Sequence, residues 1–189
     1  MTSVIKKINS PRKKYSLFET PVWHFSGDLV DGAYDWALKI QKNTEGVWKS
    51  NVGGYQSMST HDWTDMKYDQ HIIKRLDCLP KFQFANWWLN INKKGDSNDY
   101  HTHPDSMLSG VWYITDNYGS IEFQHPLLHN RNGILENEQS YITLNCTAGD
   151  ILVFPSDLVH RVLPHTEDTR RISVSFNMVK DVPIAYKQS

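Results

Sequence analysis

The hydrophobic pattern of this 189-residue chain changes period once, near residue 80. Upstream, apolar positions recur at helical spacing in two stretches. From Asp31 to Asn43, Ala33, Trp36, Ala37 and Ile40 share one face, with acid at the start and Lys39 and Lys42 toward the end, as the helix dipole favours. From Thr64 to Leu79, Met66, Ile72, Ile73 and Leu76 form a second stripe that Pro80 ends. Residues 44–63, which include Gly53-Gly54-Tyr55-Gln56-Ser57, have neither period and read as a long loop, the kind that often serves as a lid. Before the first helix, Pro21 to Phe25 is a short aromatic stretch stopped at Gly27 and reads as a first strand. From Phe82 onward the signal is that of strands: residues 82–92, 107–115, 119–124, 140–146, 151–154, 159–163 and 171–178. Turn-rich segments at 116–117, 129–133 and 148–150 separate them. Many short strands preceded by two helices predict a mainly β fold, a jelly-roll or cupin-like sandwich with both N-terminal helices packed on one sheet.

Length and composition narrow this picture. The chain suits a single domain over residues 15–189, preceded at 1–14 by a flexible basic tail carrying Lys6, Lys7, Arg12, Lys13 and Lys14. A net charge of −1 gives no global attraction for nucleic acid or membrane, and no window is apolar enough to cross a bilayer, so a cytoplasmic protein is expected. Cys78 and Cys146 stand in no zinc or disulfide pattern and read as two buried or half-buried thiols. Aromatic residues crowd residues 84–123, which predicts an aromatic, partly polar interior suited to a lined pocket. In the adjacent pairs Trp87-Trp88 and Trp112-Tyr113, strand alternation lets at most one member face a cavity, and core packing is the expected role of each. Monomer and homodimer both fit, since no residue pattern decides between them.

Candidate chemistry gathers at Tyr100-His101-Thr102-His103-Pro104-Asp105. If this segment is extended, residues 101, 103 and 105 share one face, so His103 belongs to either of two metal half-sites, with His101 or with Asp105. A carboxylate would supply the negative charge of a two-His, one-carboxylate iron site, which also needs one distant His. His160, at the end of the run from Phe154, is that candidate. Eleven residues later comes Arg171-Ile172-Ser173. An inward Arg on a strand requires an anion, and a bidentate carboxylate fits its fork, so a dicarboxylate co-substrate matches Arg171 and Ser173. Arg170 has the opposite parity and should face away. His165 with Glu167 lies in a polar turn and is set aside, and His125 and His129 flank Pro126 in a loop and read as exposed. There is no Gly-x-Ser-x-Gly elbow and no phosphate-binding Gly-rich loop before a helix.

With those residues in view, the chain resembles the iron(II)/2-oxoglutarate-dependent dioxygenase superfamily, and within it a group of small single-domain oxygenases of marine bacteria and their phages. The resemblance runs from Leu17-Phe18-Glu19-Thr20-Pro21-Val22-Trp23 through Ser50 to Ser57 and the Trp88 to Gly95 strand. It continues through His101-Thr102-His103-Pro104 with Leu108-Ser109-Gly110-Val111-Trp112-Tyr113-Ile114, and its specific parts are Gly149 to Ser156, His160, and Arg171 to Asn177. It implies a double-stranded β-helix in which His103, His160 and either His101 or Asp105 hold Fe(II), while Arg171 and Ser173 bind the distal carboxylate of 2-oxoglutarate. It further implies that O2 and 2-oxoglutarate are consumed, succinate and carbon dioxide are released, and a small molecule, amino acid or peptide side chain is hydroxylated. Two other readings remain: a β-helix binding module without catalysis, and a three-His non-heme iron oxygenase that does not use 2-oxoglutarate.

Overall fold

The computed structural model describes residues 19–62, 66–79, 81–126 and 140–180. The tail expected at 1–14, Leu17-Phe18, Thr64, His129 and the turn at 129–133 lie outside them. In chain order the elements are β1 (Trp23–Phe25), α1 (Ala33–Asn43), β2 (Asn51–Val52), β3 (Tyr55–Gln56), α2 (Asp69–Ile73), β4 (Phe82–Asn92), β5 (Ser97–His101), β6 (Leu108–Tyr113), β7 (Asn117–Gln124), β8 (Tyr141–Cys146), β9 (Ile151–Pro155), β10 (His160–Val162) and β11 (Arg171–Lys180). They form two sheets, ordered β1-β9-β6-β11-β4-β3 and β2-β5-β10-β7-β8. Neighbouring strands are antiparallel throughout. This is the double-stranded β-helix arrangement, in which strands near in sequence alternate between facing sheets.

The long β4–β11 ladder shows how the sequence sorts its two faces. It pairs Arg171 with Asn92 at one end and Lys180 with Phe82 at the other, with one irregularity between Asn177 and Met178. Trp87, Leu89 and Ile91 on β4, with Ile172, Val174 and Phe176 on β11, are buried in one core cluster together with Ala33, Ala37, Met66, Ile72 and Leu76 from the helical segments. The two alanines, both fully buried, let α1 lie close to the sheet, and Trp36 stacks over Trp87 at 6.0 Å. Gly110 on β6 serves the same packing, because a Cβ there would collide with the Phe176 ring. The opposite parity of β4 and β11 (Trp88, Asn90 and Asn92, then Arg171, Ser173 and Ser175) faces a cavity between the sheets. Elsewhere that interior is filled by Tyr113, Ile121, Phe123, Cys146, Leu152, Phe154 and Leu158.

Three expectations are corrected. The second helix is the short α2 rather than a span from Thr64 to Leu79. Met66, Ile72 and Leu76 are buried as the stripe requires, but from Arg75 onward the backbone bonds shorten to i→i+3. In that turn the Arg75 guanidinium donates to Phe25 O at 2.8 Å and to Gly149 O at 2.5 Å. Residues 44–63 are not structureless: β2 joins β5 in one sheet and β3 joins β4 in the other. Gly53 and Gly54, at φ 71° and 66°, make the turn between them, where a Cβ on Gly53 would meet the Asp96 carboxylate. Cys78 is exposed, while Cys146 is buried. No helix among the described residues is long and apolar enough to cross a membrane.

Candidate functional site

β5 and β10 run side by side with His101 opposite His160 in register, which fixes two imidazoles on one rung. The chain leaves β5 after His101, and His103 is then held by its own backbone: its N–H donates to Ser156 O at 2.9 Å, while Ser156 N donates to Met107 O at 3.1 Å. Ser156 is fully buried, and its hydroxyl bonds the Ser109 hydroxyl at 2.8 Å, which in turn donates to Asn177 Oδ1 at 2.8 Å. The Ser156 turn, four residues ahead of His160, thus ties both the His103 and His160 segments to the central strands β6 and β11.

The outcome is a cluster of ligand-type nitrogens. One ring nitrogen from each of His101, His103 and His160 lies within 4.8 Å of the others, and the His103 and His160 Nε2 atoms are 3.3 Å apart. His101 Nδ1 sits 2.7 Å from Asp99 O and His160 Nδ1 sits 2.8 Å from Leu158 O. A carbonyl can only accept, so both Nδ1 atoms carry the proton and both Nε2 lone pairs are left for a metal. Burial lowers all three imidazoles; neighbouring rings add to this for His103 and His160, while Asp99 partly offsets it for His101. His103 falls to about 4 and His160 to about 3, so the rings are neutral near pH 7, as metal ligands must be. Asp105 is not in this group. It is exposed, with φ 68°, in the turn that follows Pro104, so the alternation that would align it with His101 and His103 ends before it.

Arg171 lies at the same cavity, of about 310 Å³, whose walls also include His101, His103, His160, Tyr113 and Ser173. It is 4% exposed, and it donates to Leu163 O at 3.1 Å and Asp96 O at 3.4 Å; among the described residues no carboxylate pairs with it. Burial lowers its guanidinium to about 10, partly offset by Tyr113 and Asp96. Ser173 faces Asn90 and Tyr113 in register. Arg170 is exposed, as its parity requires. Of the adjacent aromatic pairs, Trp88 and Tyr113 line the cavity while Trp87 and Trp112 belong to the core on the other face.

The two other described histidines weighed in the sequence, His165 and His125, do not join the site. His165 donates within its own turn, from Nε2 to Thr169 O at 2.9 Å, and His125 is absent from the cavity wall. Amides also line the cavity, namely Gln56, Asn90, Asn92 and Asn98, and sequence reading missed the three asparagines. A signal for Asn92 was present in Trp88-Leu89-Asn90-Ile91-Asn92, whose polar positions alternate with buried aliphatic ones. A second group, His24, Cys146 and Asp150, is structural. Asp150 accepts from His24 Nε2 at 2.9 Å and from Thr147 N at 2.8 Å; burial opposes its charge, but these bonds outweigh burial and hold its carboxyl below the ordinary value. Burial pushes the Cys146 thiol up to about 12, so it stays protonated.

Comparisons with known proteins agree with this geometry. Residues 86–177, which carry the three imidazoles, Arg171 and Ser173, match the family model described as "Putative 2OG-Fe(II) oxygenase". A PKHD-type hydroxylase of Acidovorax ebreus (strain TPSY) is 28% identical over 139 residues, covering 67% of this chain and 61% of the relative, so the chain spans about three fifths of that protein's length. In fold, the chain is similar to the non-heme alpha ketoglutarate dependent epimerase SnoN from nogalamycin biosynthesis, with a TM-score of 0.67, 15% identity and coverage of 85% and 78% of the two chains. It is also similar to HygX from Streptomyces hygroscopicus, solved with nickel, 2-oxoglutarate and hygromycin B bound, with a TM-score of 0.57, 10% identity and coverage of 86% and 84%. Over residues 86–177 the chain is thus similar in sequence to the 2OG-Fe(II) oxygenase family, and over most of its length it shares the fold of SnoN and HygX.

Proposed function

We propose that the protein is an Fe(II)- and 2-oxoglutarate-dependent oxygenase that hydroxylates a small molecule, an amino acid or a peptide side chain. The observation that carries this reading is Arg171, a buried cation with no carboxylate partner among the described residues, on the wall of the cavity that three neutral imidazoles border. A buried charge of that kind is costly unless an anion arrives to pair with it. A dicarboxylate answers that need at one end and brings oxygen donors to a metal at the other.

The residues fit both groups. His101, His103 and His160 would hold the iron, and Arg171 with Ser173 would take the distal carboxylate of 2-oxoglutarate. His101 is preferred to Asp105 as third ligand because one of its ring nitrogens lies in the cluster and its Nδ1 proton is committed to Asp99 O, which leaves the Nε2 lone pair for a metal. When bound, the metal and 2-oxoglutarate supply the oxidising chemistry, with O2 as oxidant and succinate and carbon dioxide as products. The protein's own residues do the rest. The carbonyls of Asp99 and Leu158 hold the ligand tautomers, the Ser156 turn fixes the His103 and His160 segments, and Trp88, Val111 and Phe154 line the cavity with apolar surface against water. Trp88 packs against the His103 ring at 5.4 Å between centroids, which restrains that ring.

The all-imidazole donor set also suits a three-His iron oxygenase without 2-oxoglutarate, and one experiment separates the two. Metal-free protein is titrated anaerobically with Fe(II) and then with 2-oxoglutarate while the weak visible charge-transfer band of a chelated keto acid is followed. Appearance of the band supports the proposal. Tight iron binding with no band at saturating 2-oxoglutarate supports the three-His alternative, and absence of iron binding leaves a binding module.

A further inference from the structure

Resting on the reading just given, one wall of the cavity is still unassigned. Across the major sheet, Ser173 on β11, Asn90 on β4 and Gln56 on β3 stand on one rung. Ser173 is the co-substrate end of that rung. Gln56 is the far end, on the edge strand, and it lines the same cavity while only 7% exposed. Asn90 Nδ2 donates to Ser175 Oγ at 2.9 Å, but the Gln56 carboxamide makes no hydrogen bond to any described residue. Its amide atoms are not sealed off but open onto the cavity, so their bonds are made to whatever fills that space. An unpaired amide facing a cavity is therefore poised for a ligand.

The charge of the cavity says what kind. Among the described residues that line it there is no Asp or Glu, and its cations are Arg171 and, at an exposed position, Lys49. Three neutral imidazoles add no negative charge, unlike a two-His, one-carboxylate set. With a divalent ion and a dianionic co-substrate balancing one another, Arg171 and Lys49 leave the cavity net positive. A cationic side chain would be repelled there, and an anion would be drawn in.

We infer that the primary substrate is a small carboxylic acid whose carboxylate is bound by the Gln56 amide and the Lys49 ammonium, which makes Gln56 a specificity-determining residue. The group it reads is distinct from the 2-oxoglutarate carboxylate, which belongs to Arg171 at the other end of the wall.

The test uses the full chain loaded anaerobically with Fe(II) and 2-oxoglutarate. Formation of the charge-transfer band without further additions checks the underlying oxygenase reading, and its failure would remove that reading first. To the complex are then added free amino acids, their N-acetyl derivatives and short hydroxy acids, each beside its methyl ester and its primary amide. The expected result is that one or more acids shift the band and raise the unfolding temperature while the matched esters do not. Gln56→Leu, which keeps volume, and Lys49→Gln, at an exposed position, should each weaken that acid about tenfold or more. Both should leave the concentration of 2-oxoglutarate needed for the band within about twofold of the wild type, which also reports that the variants are folded. The inference is overturned if esters, amides or amines act as well as acids, if no acid in the panel acts, or if both variants bind the acid as the wild type does.

Discussion

Replacing Arg171 with Met separates a structural arginine from one kept for a ligand. Burial takes the guanidinium from 12.5 to about 10, which at about 1.4 kcal/mol per pH unit is a cost of about 3 kcal/mol for holding the charge in the cavity. Against this stand the bonds to Leu163 O and Asp96 O, the second of them long, worth roughly 2 to 4 kcal/mol together for a charged donor. The two terms nearly cancel. Asp96 O also accepts from His165 N at 2.9 Å, so it keeps a partner when the guanidinium is gone. Methionine fills much of the same space, so metal-free Arg171→Met should unfold in urea within about 1–2 kcal/mol of the wild type. The co-substrate should behave very differently. Losing one side of a buried, hydrogen-bonded charge pair costs about 3 kcal/mol or more, so 2-oxoglutarate should bind the iron-loaded variant more than about a hundredfold more weakly. The assays are equilibrium urea unfolding without metal and anaerobic titration of the charge-transfer band. A variant that loses much more than 3 kcal/mol of stability yet binds 2-oxoglutarate normally would make Arg171 a structural clamp and refute the reasoning.

Two further outcomes follow from the imidazole cluster. Iron affinity, measured by competition with a chelator, should fall by about a hundredfold or more in His101→Ala and stay within about threefold in Asp105→Ala; the reverse order would make the carboxylate the third ligand. In metal-free protein, stability should be greatest above pH 6.5 and decline as pH falls toward 4. The unfolded chain takes up protons at the ordinary histidine value, whereas His103 and His160 in the fold resist until about 4 and about 3. The slope approaches about 1.4 kcal/mol per pH unit for each histidine still neutral in the fold, so urea midpoints at pH 7, 6 and 5 that fail to decrease would contradict the buried, neutral cluster.

Much of this architecture is legible along the chain because burial on one face leaves a period. Leu89 and Ile91 alternate with Asn90 and Asn92, and Ile172, Val174 and Phe176 alternate with Arg171, Ser173 and Ser175, so β4 and β11 announce both their core face and their cavity face. β5 announces neither. Ser97-Asn98-Asp99-Tyr100-His101 is polar throughout, and a register irregularity against β10 lets both Asn98 and His101 reach the cavity, so it is a strand only because β2 and β10 pair with it. The shortened α2 shows the opposite failure: Met66, Ile72 and Leu76 keep a helical spacing that turns can also satisfy once Arg75 is drawn to the β1 and β9 segments. At the site, the spacing of His101, His103 and Asp105 left two ligand sets open, because alternation holds only while the chain stays extended. The left-handed Asp105 is a backbone fact that residue types do not encode. The individual role of Gln56 has no period to mark it, because Gly53 and Gly54 mark a turn, and a turn does not say which sheets it joins.

The two facing imidazole nitrogens of His103 and His160 come from positions 57 residues apart, held together by strand register and the Ser156 turn. Such a donor set has no counterpart in the unfolded chain, so an ion held there binds the native state and not the denatured one. Metal supply then acts on the amount of folded protein by mass action: a free ion at a hundred times its dissociation constant adds about 2.7 kcal/mol to the free energy of unfolding. For a domain whose whole margin is about 5–15 kcal/mol, iron is a ligand of folding as well as a reagent.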